Sequence, residues 1–177
     1  SVQQYRLRPD VMYAEIDAVC TAVETPNDPY TGYQWAISKI QAPGGWEITH
    51  GSSGIRIAIL DTGIDLDHPD LGSKIVGGAN FTTSITLEDQ HGHGTHVSGI
   101  AAARTNNGLG VAGLGYNTSL LNVKVLGDTG QGYMSWVAKG IIWAADNGAD
   151  VISMSLGTTS PSSAVQDAIN YAWNKGV

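Results

Sequence analysis

The fold is decided by the stretch Ile55-Arg56-Ile57-Ala58-Ile59-Leu60-Asp61-Thr62-Gly63. Up to Leu60 the stretch is a nearly continuous apolar run, which is typical of a parallel strand covered on both faces. The run ends abruptly at Asp61, and sites in open α/β sheets form at the carboxyl ends of strands. The stretch therefore predicts a buried strand that carries a candidate functional carboxylate at its end.

Strands and helices alternate along the rest of the chain. Further strands are predicted at residues 74–76, 120–125 and 151–156, and one or two short helices at 35–48. Helical patterns separate the later strands. Such alternation specifies an α/β fold with a mostly parallel sheet.

Two later helices have recognisable ends. The first keeps apolar residues at helical spacing from Met134 to Ile141, and Gly148 is its natural stop. The second is predicted to begin at a capping box made by Ser163 and Gln166. Both helices follow a strand, as the predicted fold requires.

The N-terminal segment differs in character from the rest of the chain. Residues 5–7 and 11–16 are short runs predicted to be extended, separated by a proline and an aspartate. Residues 25–29 form a turn-rich linker in which two prolines oppose a helix. A boundary is therefore predicted near residues 20–25.

Composition places the chain among globular proteins. It has 177 residues, of which 42% are hydrophobic and 14% charged, enough to bury one sizeable core. The net charge of −7 and the lack of a Lys/Arg cluster argue against nucleic acid or an anionic membrane as a partner. No apolar run reaches the length of a membrane span. Cys20 is the only cysteine, which excludes an intrachain disulfide and leaves the compartment open.

A second informative stretch is His91-Gly92-His93-Gly94-Thr95-His96, where a loop gives way to a helix of small residues. The helix dipole disfavours a positive charge at the N-terminus, so His93 should rest neutral and able to accept a proton as a general base. Alternatively, His91, His93 and His96 could bind zinc. A glycine-rich loop with purely structural histidines is the third interpretation, and this stretch alone leaves all three open.

The predicted topology brings separate parts of the chain to one edge of the sheet. Asp61 ends one strand, Ser155-Leu156-Gly157 ends another, and His93 begins a helix. In an open α/β sheet these positions share the rim where sites form. A carboxylate, an imidazole and an exposed strand edge are therefore expected to converge.

These blocks together resemble the subtilisin-like serine peptidases, and in particular their thermitase-like branch. Residues 58–64 are similar to the block that holds the catalytic Asp of the family, and residues 93–99 to the block that opens with its catalytic His. The resemblance implies that Asp61 and His93 are catalytic and that the fold is three-layered, although incomplete in this chain. It also disfavours the zinc and structural interpretations, and makes His96 a packed helix residue.

The resemblance also implies a substrate cleft. Residues 153–157 and 130–132 would clamp an extended peptide by backbone pairing. The residues implied to bind substrate are Gly130, Gln131, Gly132, Ser155, Leu156 and Gly157, with Leu126, Met134 and Val137 as further walls of an apolar subsite.

The family's nucleophilic Ser and its oxyanion-hole Asn have no matching block in this sequence. We therefore expect residues 23–177 to be the N-terminal portion of a peptidase domain, and this portion alone to be inactive. Residues 1–22 resemble the end of the family's inhibitory propeptide, with cleavage within about Cys20 to Glu24. The chain begins at Ser1 rather than Met, which predicts a processed or truncated start.

The function implied is that of a secreted, extracellular serine endopeptidase made as a zymogen. Its expected partners are polypeptide substrates, its own propeptide and the remainder of the peptidase domain. A non-catalytic peptide-binding fragment or pseudo-peptidase is the alternative, and a zinc hydrolase is a weaker one.

One calcium site is implied by the resemblance and would not be found from spacing alone. Its side-chain ligands would be Asp28, Asp70 and Asn107, joined by the backbone carbonyls of Arg104, Leu109 and Val111. A further calcium site of the branch is expected to be absent, because residues 80–86 lack aspartates.

Overall fold

A computed structural model describes residues 1–19 and 24–177. In this part of the chain, no helix is both long and apolar enough to cross a bilayer. The strands are β1 (Arg56–Asp61), β2 (Ile75–Asn80), β3 (Ser119–Lys124) and β4 (Val151–Ser153). The helices are α1 (Val2–Arg6), α2 (Trp35–Lys39), α3 (Ala42–Trp46), α4 (His93–Ala102), α5 (Met134–Asp146) and α6 (Ser163–Asn174), with 3-10 turns at Thr31–Tyr33 and Gly72–Lys74.

The four strands form one parallel sheet in the order β2-β3-β1-β4. β1 lies between β3 and β4, and its last residue, Asp61, is in register with Lys124 at the end of β3. This arrangement confirms the predicted α/β fold. It also places the carboxyl end of β1 in the middle of the sheet edge.

Alternate residues of β1 enter two different cores, one on each face of the sheet. Ala58 and Leu60 belong to a buried cluster with residues of α5 and α6. Ile59 belongs to a second cluster, to which α4 contributes Ala102. Helices therefore cover both faces, which confirms the three-layer architecture and explains why β1 reads as a continuous apolar run.

The N-terminal prediction was wrong in part. Residues 5–7 fall at the end of α1, which is held by a capping box between Ser1 and Gln4, and residues 11–16 form no strand. Among the described residues, each hydrogen bond of residues 1–19 joins two partners within that segment. A strand needs a neighbouring strand to satisfy its backbone, whereas a helical turn satisfies its own. The predicted cleavage window falls mainly on residues 20–23, outside the described residues.

Two element ends also differ from expectation. Helix α6 is capped by Ser162, whose hydroxyl accepts the Val165 N–H at 3.4 Å, so the predicted cap at Ser163 is one residue too late. β4 ends at Ser153, before the predicted end at residue 156, because only 151–153 pair with β1. Residues 154–157 are thereby left outside the sheet ladder, next to the cleft described below.

Candidate active site

Asp61 and His93 meet at the carboxyl edge of the sheet. Asp61 ends β1 and His93 begins α4, and the Asp61 Oδ1 atom lies 2.7 Å from His93 Nδ1. The Asp61 side chain is 1% exposed and that of His93 is 42% exposed. A hydrogen bond from Nδ1–H to the carboxylate fixes the neutral tautomer in which Nε2 carries the lone pair. The pair can therefore accept a proton at Nε2 while Asp61 stabilises the resulting charge.

Glycine allows α4 to approach β1 closely enough for this contact. A Cβ atom on Gly94 would lie 2.1 Å from the carbonyl oxygen of Gly63 and 3.1 Å from the Asp61 Cβ. No side chain fits in that space. The Gly that follows His93 is thus a requirement of the packing between helix and strand.

Asp89, which the sequence analysis missed, binds the loop before α4. Its two carboxylate oxygens accept hydrogen bonds from three backbone N–H groups and two hydroxyls, at 2.7 to 2.9 Å. Burial alone would raise the pKa of Asp89, but these bonds, led by the Thr95 hydroxyl, outweigh it and lower the pKa to about 2. Asp89 is therefore charged at any pH near neutrality.

A cavity of about 460 Å³ opens beside His93. It brings together the two segments predicted to bind substrate, 130–132 and 155–157, with polar and apolar groups on its walls. Within the described residues, the backbone groups of Gly132 and 155–157 make no backbone hydrogen bond, so they are free to pair with a peptide. The lining residues are Thr62, His91, His93, Leu126, Gly130, Gln131, Gly132, Met134, Ser155, Leu156 and Gly157.

Val137 lies elsewhere than predicted. It faces the core beneath the cavity with 0% exposure, and Leu126, Met134 and Leu156 pack against the cluster to which it belongs. Met134 is the first residue of α5 and is only partly buried, whereas Val137 lies one turn further along the same face and is fully buried. It supports the wall and does not contact the cavity.

The three histidines do not form a common site. The rings of His91 and His93 are 6.4 Å apart, and Nδ1 of His93 is engaged by Asp61. Helix α4 buries Gly94, Ser98 and Ala102, so His96 faces away, exposed, and lines a different cavity. The expectation that His96 is packed was therefore wrong. Within residues 1–19 and 24–177, no group of three or more His, Cys, Asp or Glu could hold a metal ion.

The two aspartates of the implied calcium site meet at the loop that follows α4. Asp28 is 4% exposed and accepts the N–H groups of Asn106 and Asn107 at 2.7 and 3.1 Å. Asp70 is 2% exposed and accepts the Asn107 side-chain amide at 2.8 Å and the Val111 N–H at 3.1 Å. Two buried carboxylates and an amide thus converge on one short loop.

This loop brings together oxygen atoms of the type that a hard cation binds. In the described part of the chain, neither aspartate has a positively charged side chain within salt-bridge distance. The carbonyls of Arg104, Leu109 and Val111 accept no hydrogen bond from the residues described. A Cβ on Gly110 would lie 2.4 Å from the Asp70 Oδ2, so the loop closes tightly over that carboxylate. Buried carboxylates that form no direct ion pair are a suitable environment for calcium.

Comparison with known proteins identifies the family of the chain. A profile described as the subtilase family matches residues 52–177. Thermitase of Thermoactinomyces vulgaris is 53% identical over 154 residues, covering 86% of this chain and 55% of the relative. A thermophilic serine proteinase of a Bacillus species is 46% identical over 170 residues, covering 95% of this chain and 42% of the relative.

A solved structure titled as proteases from Pseudoalteromonas arctica has a TM-score of 0.78 and 36% identity. The alignment covers 86% of this chain and 57% of the chain in that structure. The chain thus spans about half the length of the curated relatives it matches. The family profile covers most of the chain, and the fold agrees with it. This chain belongs to the subtilase family.

Proposed function

We propose that the complete protein is a secreted serine endopeptidase in which Asp61 and His93 supply the acid-base part of an Asp-His-Ser triad. The observation that carries this proposal is the 2.7 Å contact between the two side chains at the rim of the cleft. A buried carboxylate that orients a half-exposed imidazole is the arrangement a serine nucleophile needs. The family membership of the chain supports the same reaction.

In this reaction His93 acts first as a general base and then as a general acid. Its Nε2 takes the proton of the serine hydroxyl as the oxygen attacks the scissile carbonyl, and returns it to the leaving amine. Asp61 holds the ring in the required tautomer and stabilises the imidazolium. The serine and the oxyanion-hole Asn belong to the rest of the peptidase domain.

The substrates are extended polypeptides. Backbone groups of 130–132 and 155–157 would pair with the peptide, which gives affinity without regard to sequence. Leu126, Met134 and Leu156 present apolar surface in the same cavity. The cleft is therefore expected to favour large apolar or aromatic side chains at one position and to tolerate many at others.

Calcium is the proposed ion at the loop that joins Asp28, Asp70 and Asn107. When bound, it would neutralise two buried carboxylates and fasten the N-terminal linker to the turn after α4. The carbonyls of Arg104, Leu109 and Val111 would complete the set of oxygen ligands. The role is structural, and no step of the reaction passes through the ion.

We also propose that residues 1–22 are the end of an inhibitory propeptide, which this segment resembles in sequence. The exposure of Leu7, Met12 and Ile16 supports a segment that is not part of the peptidase core. N-terminal sequencing of the active protein should give a start within about Cys20 to Glu24. A start at Ser1 would contradict this assignment.

A fluorophosphonate probe separates the enzyme from a non-catalytic peptide binder. The complete protein should be labelled once per molecule, and His93→Ala should remove the labelling without unfolding the protein. Absence of labelling, combined with retention on a peptide column, would support the binder instead.

A further inference from the structure

We propose that Asp89 is a positioning residue that holds His93 against Asp61 by binding both segments that carry the pair. The proposal rests on the proposed function, because it assigns Asp89 to the proton transfer by His93. The structural basis is a set of contacts made by three side chains, Asp89, Thr62 and Lys124, which we call the bracket.

Asp89 binds the backbone on both sides of His93. Its Oδ1 accepts the N–H groups of His91 and Gly92 at 2.9 and 2.8 Å. Its Oδ2 accepts the N–H and the hydroxyl of Thr95 at 2.9 and 2.7 Å. The N-cap residue of α4, Gly92, has no side chain to do this, so a carboxylate three residues earlier satisfies the free N–H groups of the helix start.

Thr62 connects this helix start to the end of β1. Its hydroxyl donates to Asp89 Oδ1 at 2.8 Å and accepts the Gly94 N–H at 2.9 Å. Thr62 directly follows Asp61, and its own N–H donates to Asp61 Oδ1 at 2.7 Å. Asp89 and Thr62 therefore bind residues 91, 92, 94 and 95, and leave His93 fixed between them.

Lys124 also connects the end of β1 to the loop that contains Asp89. Its side chain is 0% exposed, and Nζ donates to the carbonyl oxygens of Thr62 and Glu88. It also pairs with Asp128 at 3.0 Å. Burial of an ammonium group costs free energy unless all its hydrogen bonds are made. Here the hydrogen bonds of Lys124 connect Thr62, which follows Asp61, to Glu88, which precedes Asp89.

A side chain that only capped α4 would need to accept hydrogen bonds from the free N–H groups of the helix start, and from nothing else. Asp89 instead binds two separate segments, the residue after Asp61 and the start of α4, and they meet around the proton-transfer pair. A displacement of about 1 Å between reacting groups can lower a rate by about a hundredfold. Loosening the bracket should therefore impair turnover more than substrate binding.

Asp89→Asn in the complete protein tests this role. We expect kcat to fall by about ten- to a hundredfold with KM changed by less than about twofold. The low-field proton resonance of the His93 Nδ1–H bond should shift or broaden. Should Asp89→Asn fail to fold, Thr62→Val removes the connecting hydroxyl with little change of shape and should give the same two effects.

Asp150→Asn is the matched control, because Asp150 accepts the Arg56 N–H at 2.8 Å at the opposite end of β1. It should lower the melting temperature while leaving kcat and the resonance unchanged. Equal kcat and an unchanged resonance in Asp89→Asn, with only a lower melting temperature, would overturn the positioning role. If the wild type proves inactive, the proposed function fails, and the resonance in wild type and variants still decides whether Asp89 positions His93.

Discussion

The Asp61 carboxylate and the His93 imidazole are joined by a 2.7 Å hydrogen bond across 32 positions of sequence. Each lies at an element end, where β1 stops and α4 starts, so its position depends on how closely the helix packs on the strand. Gly94 and the bracket set that packing. The pair is therefore sensitive to changes that do not touch either side chain.

Gly94→Ala should disturb the pair through packing alone. The added Cβ would clash with the Gly63 carbonyl, and overpacking of this kind costs about 1–3 kcal/mol of unfolding free energy. Thermal unfolding and turnover of the complete protein measure the effect. Gly99→Ala on the same helix is the control, because its Cβ would meet nothing closer than Val111 at 4.0 Å. Equal melting temperatures and equal turnover for the two variants would show that the Gly94 contact is not limiting.

Acid should weaken the hydrogen bonds that Glu24 makes with His50 and Tyr116. Glu24 accepts bonds from His50 and Tyr116 at 2.6 and 2.7 Å, and these bonds lower its pKa below the ordinary 4.5. A lowered pKa in the folded state means that the stabilisation is present above about pH 4.5 and is lost as the pH falls through the folded-state value. The melting-temperature difference between wild type and Glu24→Gln should therefore shrink between about pH 6 and pH 3. Asp167→Asn, at an exposed position on α6, should show no such trend, and a constant difference for Glu24→Gln would refute the linkage.

Calcium removal should destabilise the complete protein. An ion bound only by the folded state contributes roughly 4 kcal/mol at a thousandfold excess over its Kd. Excess chelator should lower the melting temperature and speed autolysis, and Asp70→Ala should remove most of this calcium dependence. Asp67→Ala, at an exposed neighbouring position, should keep it. A melting curve unaffected by chelator, together with no metal in elemental analysis, would eliminate the site.

Met134 should influence which side chain the apolar wall accepts. Replacing it with Gly enlarges the cavity and replacing it with Trp fills it, so the two variants should shift a peptide-library profile in opposite directions at one position. Lys139→Ala on the same helix is exposed and away from the cavity, and should leave the profile as it is. Unchanged profiles for both Met134 variants would remove this residue from the subsite.

The sequence predicted the parts of the molecule that depend on local pattern. The apolar run predicts β1, the small residues after His93 predict the start of α4, and apolar spacing with Gly148 predicts the ends of α5. Helix α1 was missed although Ser1 and Gln4 carry the local signature of a capping box. The apolar residues of that segment predict a strand, and the lack of a pairing strand among residues 1–19 and 24–177 excludes one.

The bracket could not be predicted in the same way. Asp89 reads as a loop residue and Lys124 as a polar interruption of a strand, and both acquire a role only through Thr62, far away in sequence. For Val137 the sequence resemblance predicts a position in the cavity wall, whereas the side chain is buried in the core. Long-range contacts decide such residues, and a single sequence does not contain them.

The most direct test of the catalytic pair is the turnover of Asp61→Asn in the complete, processed protein. The amide preserves shape but cannot hold His93 in the required tautomer or stabilise its positive charge, so kcat should fall by roughly 10⁴-fold while KM stays nearly constant. Circular dichroism confirms that the variant is folded. A folded Asp61→Asn protein that keeps kcat within about tenfold of wild type would contradict the assignment of Asp61 and His93 as the acid-base pair.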